Sequence, residues 1–375
     1  MGPRVFVTAV GRFSAPLDGS GLAPDLNLGG RLSARLDISA RPGEPRLHAL
    51  ARLAGEAALR GAPALGRLAP EDKGVFLSSS KGGMECFDRA LPDLGEGLWR
   101  YLSSSPGRAL RDDLGWHGGG RNTPLACATG AYAIGLALED LRAGRIQAAL
   151  AGAAEASLTP LIAAAFEQSG ALAKARQVGD LRGPFDSERS GFVLGEGAAA
   201  LVLESEAALA RTGHVPLAEL RSWACTCDAW HLTAPRPDGS QAARCLRLAL
   251  YEAGLEPSDV VYVSAHGTGT VAGDLAEARA LHAVFGSGAS GLGPRVSSIK
   301  GATGHTLGAS GALCAAVTVE ALASNRLPGT AACRKPMPEM APWLALEPEA
   351  LRPGAAVSLS MGFGGHNVAL VFGLA

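Results

Sequence analysis

The 375-residue chain carries 34 Lys and Arg residues against 35 Asp and Glu residues, so its formal net charge is −1. A charge this close to zero argues against a nucleic-acid-binding protein, which normally needs a clustered basic excess. Hydrophobic residues make up 47% of the chain and aromatic residues only 5%, with 50 Gly. A core of small aliphatic side chains lets helices and strands approach closely, which favours a layered α/β protein.

The first half of the chain shows alternating strand and helix patterns. The hydrophobic spacing predicts strands at 4–9, 75–77, 123–126 and 146–151, and helices at 47–61, 85–101 and 128–144. Residues 15–46 are rich in Pro, Gly and Arg and have poor periodicity, so we expect surface loop there, with some strand around 36–38.

The second half repeats this order of elements. The predicted strands are 191–203, 215–224, 259–265, 357–360 and 367–373, and the predicted helices are 240–254, 273–285 and a buried helix that follows the small-residue segment KGATGHTLGASG. A strand, Cys127 and a helix in one half match a strand, GATGH and a helix in the other. We therefore expect two similar α/β halves, residues 1–208 and 209–375, that meet at one site.

The cysteines and the N-terminus indicate the compartment. Seven Cys residues, an odd number, are spread through the chain, which favours free thiols in a reducing environment. The N-terminal segment MGPRVFVTAVGRFS has no signal-peptide pattern. The longest Ala/Leu-rich stretch, 143–166, is interrupted by Arg145, Glu155 and Pro160, so no segment is predicted to cross a membrane. We expect a soluble, cytoplasmic enzyme.

Cys127 is the first candidate for chemistry. It lies between a predicted strand and the start of a helix, where the positive end of the helix dipole favours a thiolate. The small residues that follow it leave room for a substrate. The alternative is an inert buried Cys, which is common for a single cysteine.

Two histidines follow strands in the second half. His266 opens the segment HGTGT at a strand end, where ligand-facing groups collect in α/β proteins. His305 lies five residues after Lys300 in a glycine-rich segment that lacks phosphate-loop spacing, so nucleotide binding is not indicated. Each histidine could instead be hydrogen-bonded within a turn.

Two further motifs carry weaker signals. Cys225 and Cys227, with His231 nearby, suggest zinc only faintly, because no second pair completes four ligands. The run GFGGHN at 362–367 is either a flexible ligand-facing loop or a tight turn before the last strand. We expect no metal.

Together these motifs resemble the β-ketoacyl synthases of the elongating type, which act on acyl-carrier-protein substrates in fatty acid and polyketide synthesis. The matching segments stand in family order: ACATG (126–130), AGAAEASLTP (151–160), PFDSERSGFVLGEGAAALVLE (184–204), DAWHLTAPRPDG (228–239), AHGTGTVAGD (265–274), SSIKGATGHTLGASG (297–311) and GFGGHN (362–367). The resemblance implies the thiolase fold, with two similar α/β halves in helix–sheet–helix–sheet–helix layers. The short chain and the segment TAPRPDG (233–239) are most similar to discrete-subunit ketosynthases of bacterial polyene or aryl-polyene pathways.

The resemblance also implies a mechanism. Cys127 would take the acyl chain from a carrier-protein thioester. His266 and His305 would donate hydrogen bonds to a malonyl thioester oxygen as decarboxylation builds enolate charge on it. The backbone N–H groups of Cys127 and Phe363 would hold the oxyanion formed when the enolate attacks, and Lys300 would position the histidines.

The same resemblance assigns substrate contacts and partners. Thr268 and Thr270 would hold the phosphopantetheine arm, and Phe363 and Gly364 lie on the glycine loop that faces the substrate. No dissociable cofactor is required, because the pantetheine arrives on the acyl carrier protein. The family is usually dimeric, so we expect a homodimer or a heterodimer with a related ketosynthase or chain-length-factor subunit.

Three departures from the family pattern keep alternatives open. The segment before residue 47 is short, the predicted loop 109–122 is compact and polar, and Cys314 stands where elongating enzymes usually carry a Glu that supports Lys300. One alternative is a chain-length-factor-like subunit that shapes the pocket of an active partner. Another is a thiolase-fold acyltransferase or thioesterase that uses Cys127 alone, although such an enzyme would not need both histidines.

Overall fold

A single mixed sheet of nine strands organises the protein. The computed structural model describes residues 2–16, 21–25, 28, 30–84, 98–286 and 293–375. The strands of the sheet are β1 (Val5–Phe13), β4 (Lys73–Ser78), β5 (Ala148–Glu155), β7 (Gly197–Ser205), β8 (Ala218–Cys227), β9 (Val260–Ser264), β10 (Arg295–Ser297), β13 (Ala355–Gly362) and β14 (His366–Gly373). Their order is β10-β9-β13-β14-β8-β1-β7-β5-β4.

Shorter strands and the helices complete the described elements. The short strands are β2 (Ala23–Asp25), β3 (Arg31–Ala34), β6 (Leu194–Gly195), β11 (Arg326–Leu327) and β12 (Glu349–Ala350). The α-helices are α1 (Arg46–Arg60), α2 (Ser105–Leu114), α3 (Thr129–Arg142), α4 (Pro160–Gln168), α5 (Glu206–Thr212), α6 (Ser240–Ala253), α7 (Val271–Phe285), α8 (Lys300–Thr303) and α9 (Ser310–Ser324).

The two halves of the sheet repeat one pairing pattern. In the first, β4 lies parallel to β5, and β5, β7 and β1 follow with antiparallel pairings. In the second, β9 lies parallel to β13, and β13, β14 and β8 follow in the same way. A short antiparallel contact between residues 6–7 and 218–219 joins the halves. The predicted two-fold repetition is therefore present in the strand pairing.

Helices cover both outer faces and fill the centre. Strand β7 shows the layering, because Ala199, Leu201 and Leu203 belong to the central core with α3 and α9, whereas Ala200 and Val202 pack with α1. In the second half, α6 and α7 pack on the outer face of β9, β13 and β14. This arrangement is the predicted layered α/β fold.

The central helices α3 and α9 cross at two glycines. A Cβ on Gly130 would lie 2.6 Å from the backbone N of Ala312, and a Cβ on Gly311 would lie 2.7 Å from the backbone N of Ala131. The two helices can approach this closely only because neither residue 130 nor residue 311 has a Cβ atom. The crossing brings the N-terminal end of α3, which carries Cys127, next to the start of α9.

Most predicted elements are confirmed, and several details are corrected. The predicted strand 123–126 is absent, and α2 occupies residues 105–114, so part of the predicted loop 109–122 is helical. No strand forms at 36–38, and α4 and α5 were not predicted. Of the predicted helix 85–101, residues 85–97 lie outside the described residues, and 98–101 form a 3₁₀ turn.

One described helix has the composition of a membrane span, contrary to the sequence prediction. Residues Leu307–Ser324 reach a mean hydropathy of 1.5 over 18 residues, but 83% of this segment is buried inside the protein. The segment ends in α9, which packs against both halves of the sheet and contributes to the central core. Its apolar character is therefore accounted for by its place at the centre of the fold.

Candidate active site

Cys127 lies in a tight backbone turn directly before α3. Ala126 has a φ of 46°, in the left-handed region that non-glycine residues rarely adopt. The Thr129 hydroxyl holds this turn, since it donates to the Ala126 carbonyl at 2.7 Å and accepts from the Leu125 N–H at 2.8 Å. This turn replaces the predicted strand and presents the Cys127 sulfur next to the second half of the chain.

His305 lies against the Cys127 thiol. Its Nε2 is 3.2 Å from the Cys127 Sγ, and its Nδ1 is 2.8 Å from the Ser310 hydroxyl. That hydroxyl is also 3.0 Å from the Thr306 hydroxyl. Because a hydroxyl both donates and accepts, Ser310 can partner either neutral tautomer of His305. His305 can therefore accept a proton at Nε2 or donate one from it.

His266 completes a histidine pair. Its ring centroid lies 5.6 Å from that of His305, with the planes nearly perpendicular. Its Nδ1 is buried and has no hydrogen-bond partner among the described residues. Both histidines and Cys127 border one cavity of about 330 Å³, so a ligand in that cavity can contact all three.

Two buried ionisable side chains hold the backbone of His266, and burial raises the pKa of one of them, Glu277, to about 7. The Lys300 ammonium donates to the His266 carbonyl oxygen. The Glu277 carboxylate accepts the N–H groups of His266 at 2.6 Å and Gly267 at 2.7 Å. The peptide group between residues 266 and 267 therefore lies between an ammonium and a carboxylate, and this arrangement orients the His266 side chain.

Cys314 contributes a buried thiol beside Lys300. Its Sγ lies 3.9 Å from the Lys300 Nζ. Lys300 is buried and forms no salt bridge within the described ranges. The His266 carbonyl is thus the main anchor of the Lys300 ammonium.

Burial dominates the electrostatics of the three reactive groups. It raises the pKa of the Cys127 thiol, although the ammonium groups of Lys81 and Lys300 oppose this shift. The expected stabilisation of a thiolate by the helix end is therefore outweighed by loss of water in the resting protein. Burial, followed by the Lys300 charge, lowers the pKa of both His266 and His305 well below 6.5. Both histidines are neutral at pH 7.

Hydroxyl groups line the cavity on the side of α7. The Thr268 and Thr270 hydroxyls lie 2.9 Å apart, and Thr270 caps α7 by accepting the Gly273 N–H at 3.2 Å. Asp274 accepts the Thr268 N–H at 2.9 Å and holds this turn. Both threonines border the cavity, where their hydroxyls can bond a polar ligand arm.

The glycine loop at 362–365 closes the other side. Phe363 borders the cavity, and its backbone N–H is directed at the Cys127 sulfur. Gly364 is exposed and does not border this cavity, and its N–H donates to the Leu232 carbonyl at 2.8 Å. The structure therefore brings together every residue that the resemblance assigned to the active site except Gly364, which remains a predicted contact.

Several residues at the site were not singled out in the sequence. Besides Glu277 and Asp274, these include Phe192, whose ring lies 5.0 Å from that of His305, and Glu155. Glu155 is buried at the end of β5, where it accepts hydrogen bonds from the Ser79 hydroxyl at 3.0 Å and the Gly308 N–H at 3.0 Å. A carboxylate inside an apolar strand was the sequence signal for Glu155, whereas Phe192 resembled an ordinary core residue.

Metal ligation has no support in the described part of the chain. No three side chains of His, Cys, Asp or Glu are placed to hold one ion there. The six cysteines in the described ranges are all free thiols. Cys225 and Cys227 are exposed on β8, and the His231 Nδ1 accepts the backbone N–H groups of its own loop.

The site can therefore perform acyl transfer and carbanion chemistry. It offers a thiol beside a neutral imidazole, which suits formation of a covalent thioester. Two neutral histidines beside one cavity can donate hydrogen bonds to an oxygen that develops negative charge. The hydroxyl-lined side can bind an extended polar arm that leads to the thiol.

Comparisons with known proteins show which family the chain belongs to. Residues 107–208 match the N-terminal domain of the β-ketoacyl synthase family, and residues 217–334 match its C-terminal domain. The chain is 43% identical over 264 residues to the 3-oxoacyl-[acyl-carrier-protein] synthase 2 of Synechocystis, an alignment that covers 69% of this chain and 62% of that protein. It is 39% identical over 310 residues to the Staphylococcus aureus enzyme of the same name, covering 80% and 76%.

Solved structures show the same fold. A type II polyketide ketosynthase bound to its acyl-carrier protein, AntDE:AntF, superposes with a TM-score of 0.89 at 26% identity over the full length of both chains. The ishigamide ketosynthase/chain length factor superposes with a TM-score of 0.85 at 27% identity, also over both full lengths. Sequence and structure together show that the chain belongs to the β-ketoacyl synthase family and has its thiolase-like fold.

Proposed function

We propose that the protein is a β-ketoacyl-acyl-carrier-protein synthase that condenses an acyl group carried on Cys127 with a malonyl unit, in fatty acid or type II polyketide elongation. The observation that carries this proposal is the contact of 3.2 Å between the Cys127 Sγ and the His305 Nε2, beside a second neutral histidine and a hydroxyl-lined cavity. The names of the relatives support the reaction class.

The first step is acyl transfer to Cys127. The Cys127 sulfur attacks the carbonyl carbon of the carrier thioester, and the bond from that carbon to the pantetheine sulfur breaks. His305 accepts the thiol proton at Nε2 and passes it to the departing sulfur, so it ends the step neutral. Since burial raises the pKa of the Cys127 thiol, this base is needed for attack at neutral pH.

The second step is decarboxylative condensation. The bond to the malonyl carboxylate breaks, CO₂ leaves, and the electron pair forms an enolate whose oxygen accepts hydrogen bonds from His266 and His305. The enolate carbon then bonds to the acyl carbon on Cys127, the carbon–sulfur bond breaks, and the released thiolate takes up one proton. In this step the Ser310 hydroxyl donates to the His305 Nδ1, which leaves the Nε2–H free for the enolate.

The remaining site residues have supporting roles. Lys300 and Glu277 fix the backbone of His266, and Thr268 and Thr270 bind the phosphopantetheine arm. The N–H groups of Cys127 and Phe363 bind the oxyanion. Gly364 gives the loop its freedom, with a φ of 89° that favours glycine.

The partners and setting follow from the reaction. The acyl carrier protein supplies the phosphopantetheine, so we expect no dissociable cofactor and no metal. The solved structures of a ketosynthase with its acyl-carrier protein and of a ketosynthase/chain length factor support an acyl-carrier partner and a homodimer or heterodimer. The free thiols favour the cytoplasm. We keep 1–208 and 209–375 as the two ketosynthase halves.

A chain-length-factor-like role is the second candidate, and Cys314 is the observation that favours it. With a thiol at this position, the Lys300 ammonium forms no salt bridge with a carboxylate in the described part of the chain. Against this role, Cys127, His266 and His305 are all present and face one cavity. A subunit that only shapes a partner's pocket has no need of this arrangement, so condensation remains the primary proposal.

Intact-mass analysis tests the proposal directly. After incubation with an acyl carrier protein loaded with a short acyl chain, we expect one acyl mass on the peptide that contains Cys127. Cys127→Ala should abolish the adduct, whereas the matched control Cys225→Ala, at an exposed thiol, should retain it. An adduct that persists in Cys127→Ala, or that maps to Cys86 or Cys225, would contradict the assignment.

The histidines are tested by separating the two half-reactions. His266→Ala and His305→Ala should lower malonyl-carrier decarboxylation by about two orders of magnitude or more, the usual loss when a charge-stabilising donor is removed. Both variants should retain some slow acylation of Cys127. Unchanged decarboxylation in both would refute the enolate role and favour an acyltransferase or thioesterase that uses Cys127 alone.

A further inference from the structure

Lys81 lies on a firmly held turn after β4, near enough for its charge to oppose the burial that raises the pKa of Cys127. The Ser79 hydroxyl accepts the N–H groups of Lys81 at 3.2 Å and Gly82 at 2.9 Å. The buried Glu155 accepts the Ser79 hydroxyl and the Ser80 N–H, each at 3.0 Å, and also the N–H of Gly308. The same carboxylate thus connects the Lys81 turn to the loop that follows His305, which fixes the place of Lys81 relative to the site.

The Lys81 ammonium can donate a further hydrogen bond. It donates to the Ser80 hydroxyl at 3.0 Å and lies 5.7 Å from the centroid of the Phe166 ring. It forms no salt bridge with any residue that the structure describes. An ammonium carries three N–H donors, so this one can still bond a further acceptor.

Phe166 links this ammonium to the reactive groups. Its ring contacts that of Phe192 at 5.3 Å and that of Phe363 at 6.0 Å between centroids. Phe192 in turn contacts His305. The Lys81 charge reaches both reactive groups, since it opposes the burial that raises the pKa of Cys127 and contributes to the low pKa of His305.

The surroundings of the Cys127 side chain explain where an acyl group goes. The cavity beside the histidines has a hydroxyl-lined wall, which suits the pantetheine arm. The thiol itself belongs to an apolar cluster, against which Met84 and Phe166 pack; its other buried members are Leu28, Leu158, Ile162, Ala163, Phe192, Leu194 and Leu307. An acyl group on the sulfur would therefore have this cluster beside it, and Lys81 lies over the ring of Phe166 at the edge of the cluster.

We propose that Lys81 is a specificity-determining residue that selects acyl chains bearing oxygen acceptors over saturated alkyl chains. This inference rests on the proposed function, because it requires an acyl group on Cys127. A keto or carboxylate oxygen near the start of the chain accepts a hydrogen bond from the ammonium. An alkyl chain in the same place removes water from the ammonium and offers no hydrogen-bond acceptor in exchange. Such uncompensated desolvation of a charge is unfavourable in an apolar site.

Competition between matched acyl chains tests this selection. We would measure the rate of Cys127 acylation by intact mass with butanoyl, 3-oxobutanoyl and succinyl groups on the same acyl carrier protein. Sites that hydrogen-bond a substrate group discriminate strongly against analogues that lack it. We expect Lys81→Met to lower the ratio of oxygenated to butanoyl acylation by about tenfold or more. The succinyl and 3-oxobutanoyl arms separate recognition of a charge from recognition of a carbonyl dipole.

The controls isolate the charge at this position. Lys81→Arg should keep the preference, and Lys174→Met, at an exposed lysine elsewhere, should leave every rate unchanged. Lys81→Gln provides a second neutral variant if the Met side chain disturbs folding, which thermal unfolding reports. A lower ratio for either oxygenated chain in a folded neutral variant supports the selection.

Two results would overturn the proposal. One is an unchanged ratio for both oxygenated chains in a folded neutral variant. The other is an equal loss with all three chains, together with a shifted pH profile of iodoacetamide alkylation, which would make Lys81 an activator of the thiol. If the wild-type protein acylates with none of the three chains, the proposed function fails first, so the two failures are distinguishable.

Discussion

Burial sets the charge state of the two histidines. Loss of water, followed by the Lys300 charge, lowers the pKa of His266 and His305 well below 6.5. A neutral imidazole donates a hydrogen bond to an enolate oxygen without transferring its proton to that oxygen. We therefore expect the histidines to add no pH dependence to malonyl decarboxylation between about pH 6 and 7.5, so that a change over this interval comes from Glu277, whose pKa burial raises to about 7. A loss on acidification with a midpoint near 6.5 that persists in Glu277→Gln would contradict neutral histidines.

The same shifts link pH to stability. The unfolded chain binds protons on these histidines near pH 6.5, whereas the native protein binds them only at lower pH. The contribution of these histidines to the free energy of unfolding should therefore fall as the pH decreases below 6.5, whereas Glu277, whose pKa burial raises to about 7, contributes in the opposite direction over the same interval. Urea unfolding at pH 7 and pH 5.5 measures this, and His305→Gln, which cannot titrate, should lose less stability over the interval than the wild-type protein.

Cys314 offers a second prediction at the scale of one residue. Because the His266 carbonyl already anchors the Lys300 ammonium, we expect Cys314→Glu to change the condensation rate by less than about tenfold. A larger side chain in a packed helix also strains the core, so thermal unfolding should accompany the kinetics. A hundredfold gain in the condensation rate of a stable Cys314→Glu variant would mean that the wild-type site lacks a carboxylate it needs for catalysis.

The reactive residues could be predicted from the sequence, but their supports could not. Cys127, His266 and His305 each stand in a segment whose residue order is typical of the family. Glu277 and Lys81 act through contacts between segments that are far apart in the chain. Nothing in local spacing shows that a carboxylate accepts two N–H groups, or that an ammonium lies over an aromatic ring.

At the scale of elements, the crossing of α3 and α9 determines where Cys127 lies. A Cβ on Gly130 would approach the backbone N of Ala312 to 2.6 Å. We expect Gly130→Ala to lower the free energy of unfolding by about 1–3 kcal/mol, the usual range for overpacking, and to lower acylation as well. Urea unfolding and intact mass provide the measurements.

A glycine in open space provides the matched control. A Cβ on Gly66 would meet no atom within 4 Å, so Gly66→Ala should leave both stability and acylation unchanged within about 0.5 kcal/mol. Equal effects of the two substitutions would mean that the helix crossing does not require glycine. A destabilised Gly130→Ala variant that acylates at the wild-type rate would separate packing from alignment of the site.

Elements that form through regular apolar spacing could be predicted, whereas a turn that depends on its surroundings could not. Regular apolar spacing predicted α1, α6 and α7 almost to the residue, because each buries one face. The turn at 123–126 reads as a strand by composition, yet Ala126 adopts a left-handed conformation held by the Thr129 hydroxyl. Such a turn depends on the helix after it and on the packing around it, which residue spacing does not reveal.

At the scale of the whole molecule, one site is built from both halves. The first half supplies Cys127, and the second supplies His266, His305 and Lys300. The joined sheet and the glycine crossing of α3 and α9 place Cys127 against His305 and bring His266 to the same cavity. In the proposed function, a single chain therefore carries the nucleophile and both histidines, whatever partner subunit it binds.

A mixing assay with a disabled partner subunit distinguishes an active subunit from a subunit that does not turn over. We expect condensation when the wild-type chain is combined with a related ketosynthase subunit whose own nucleophile has been changed from Cys to Ala, because Cys127 can carry the acyl group itself. Cys127→Ala in the same mixture is the matched control and should give no product. If the wild-type chain forms product only with an intact partner, it shapes the pocket of that partner and does not turn over. Product with the disabled partner assigns the reaction to Cys127, since no other nucleophile remains in the mixture.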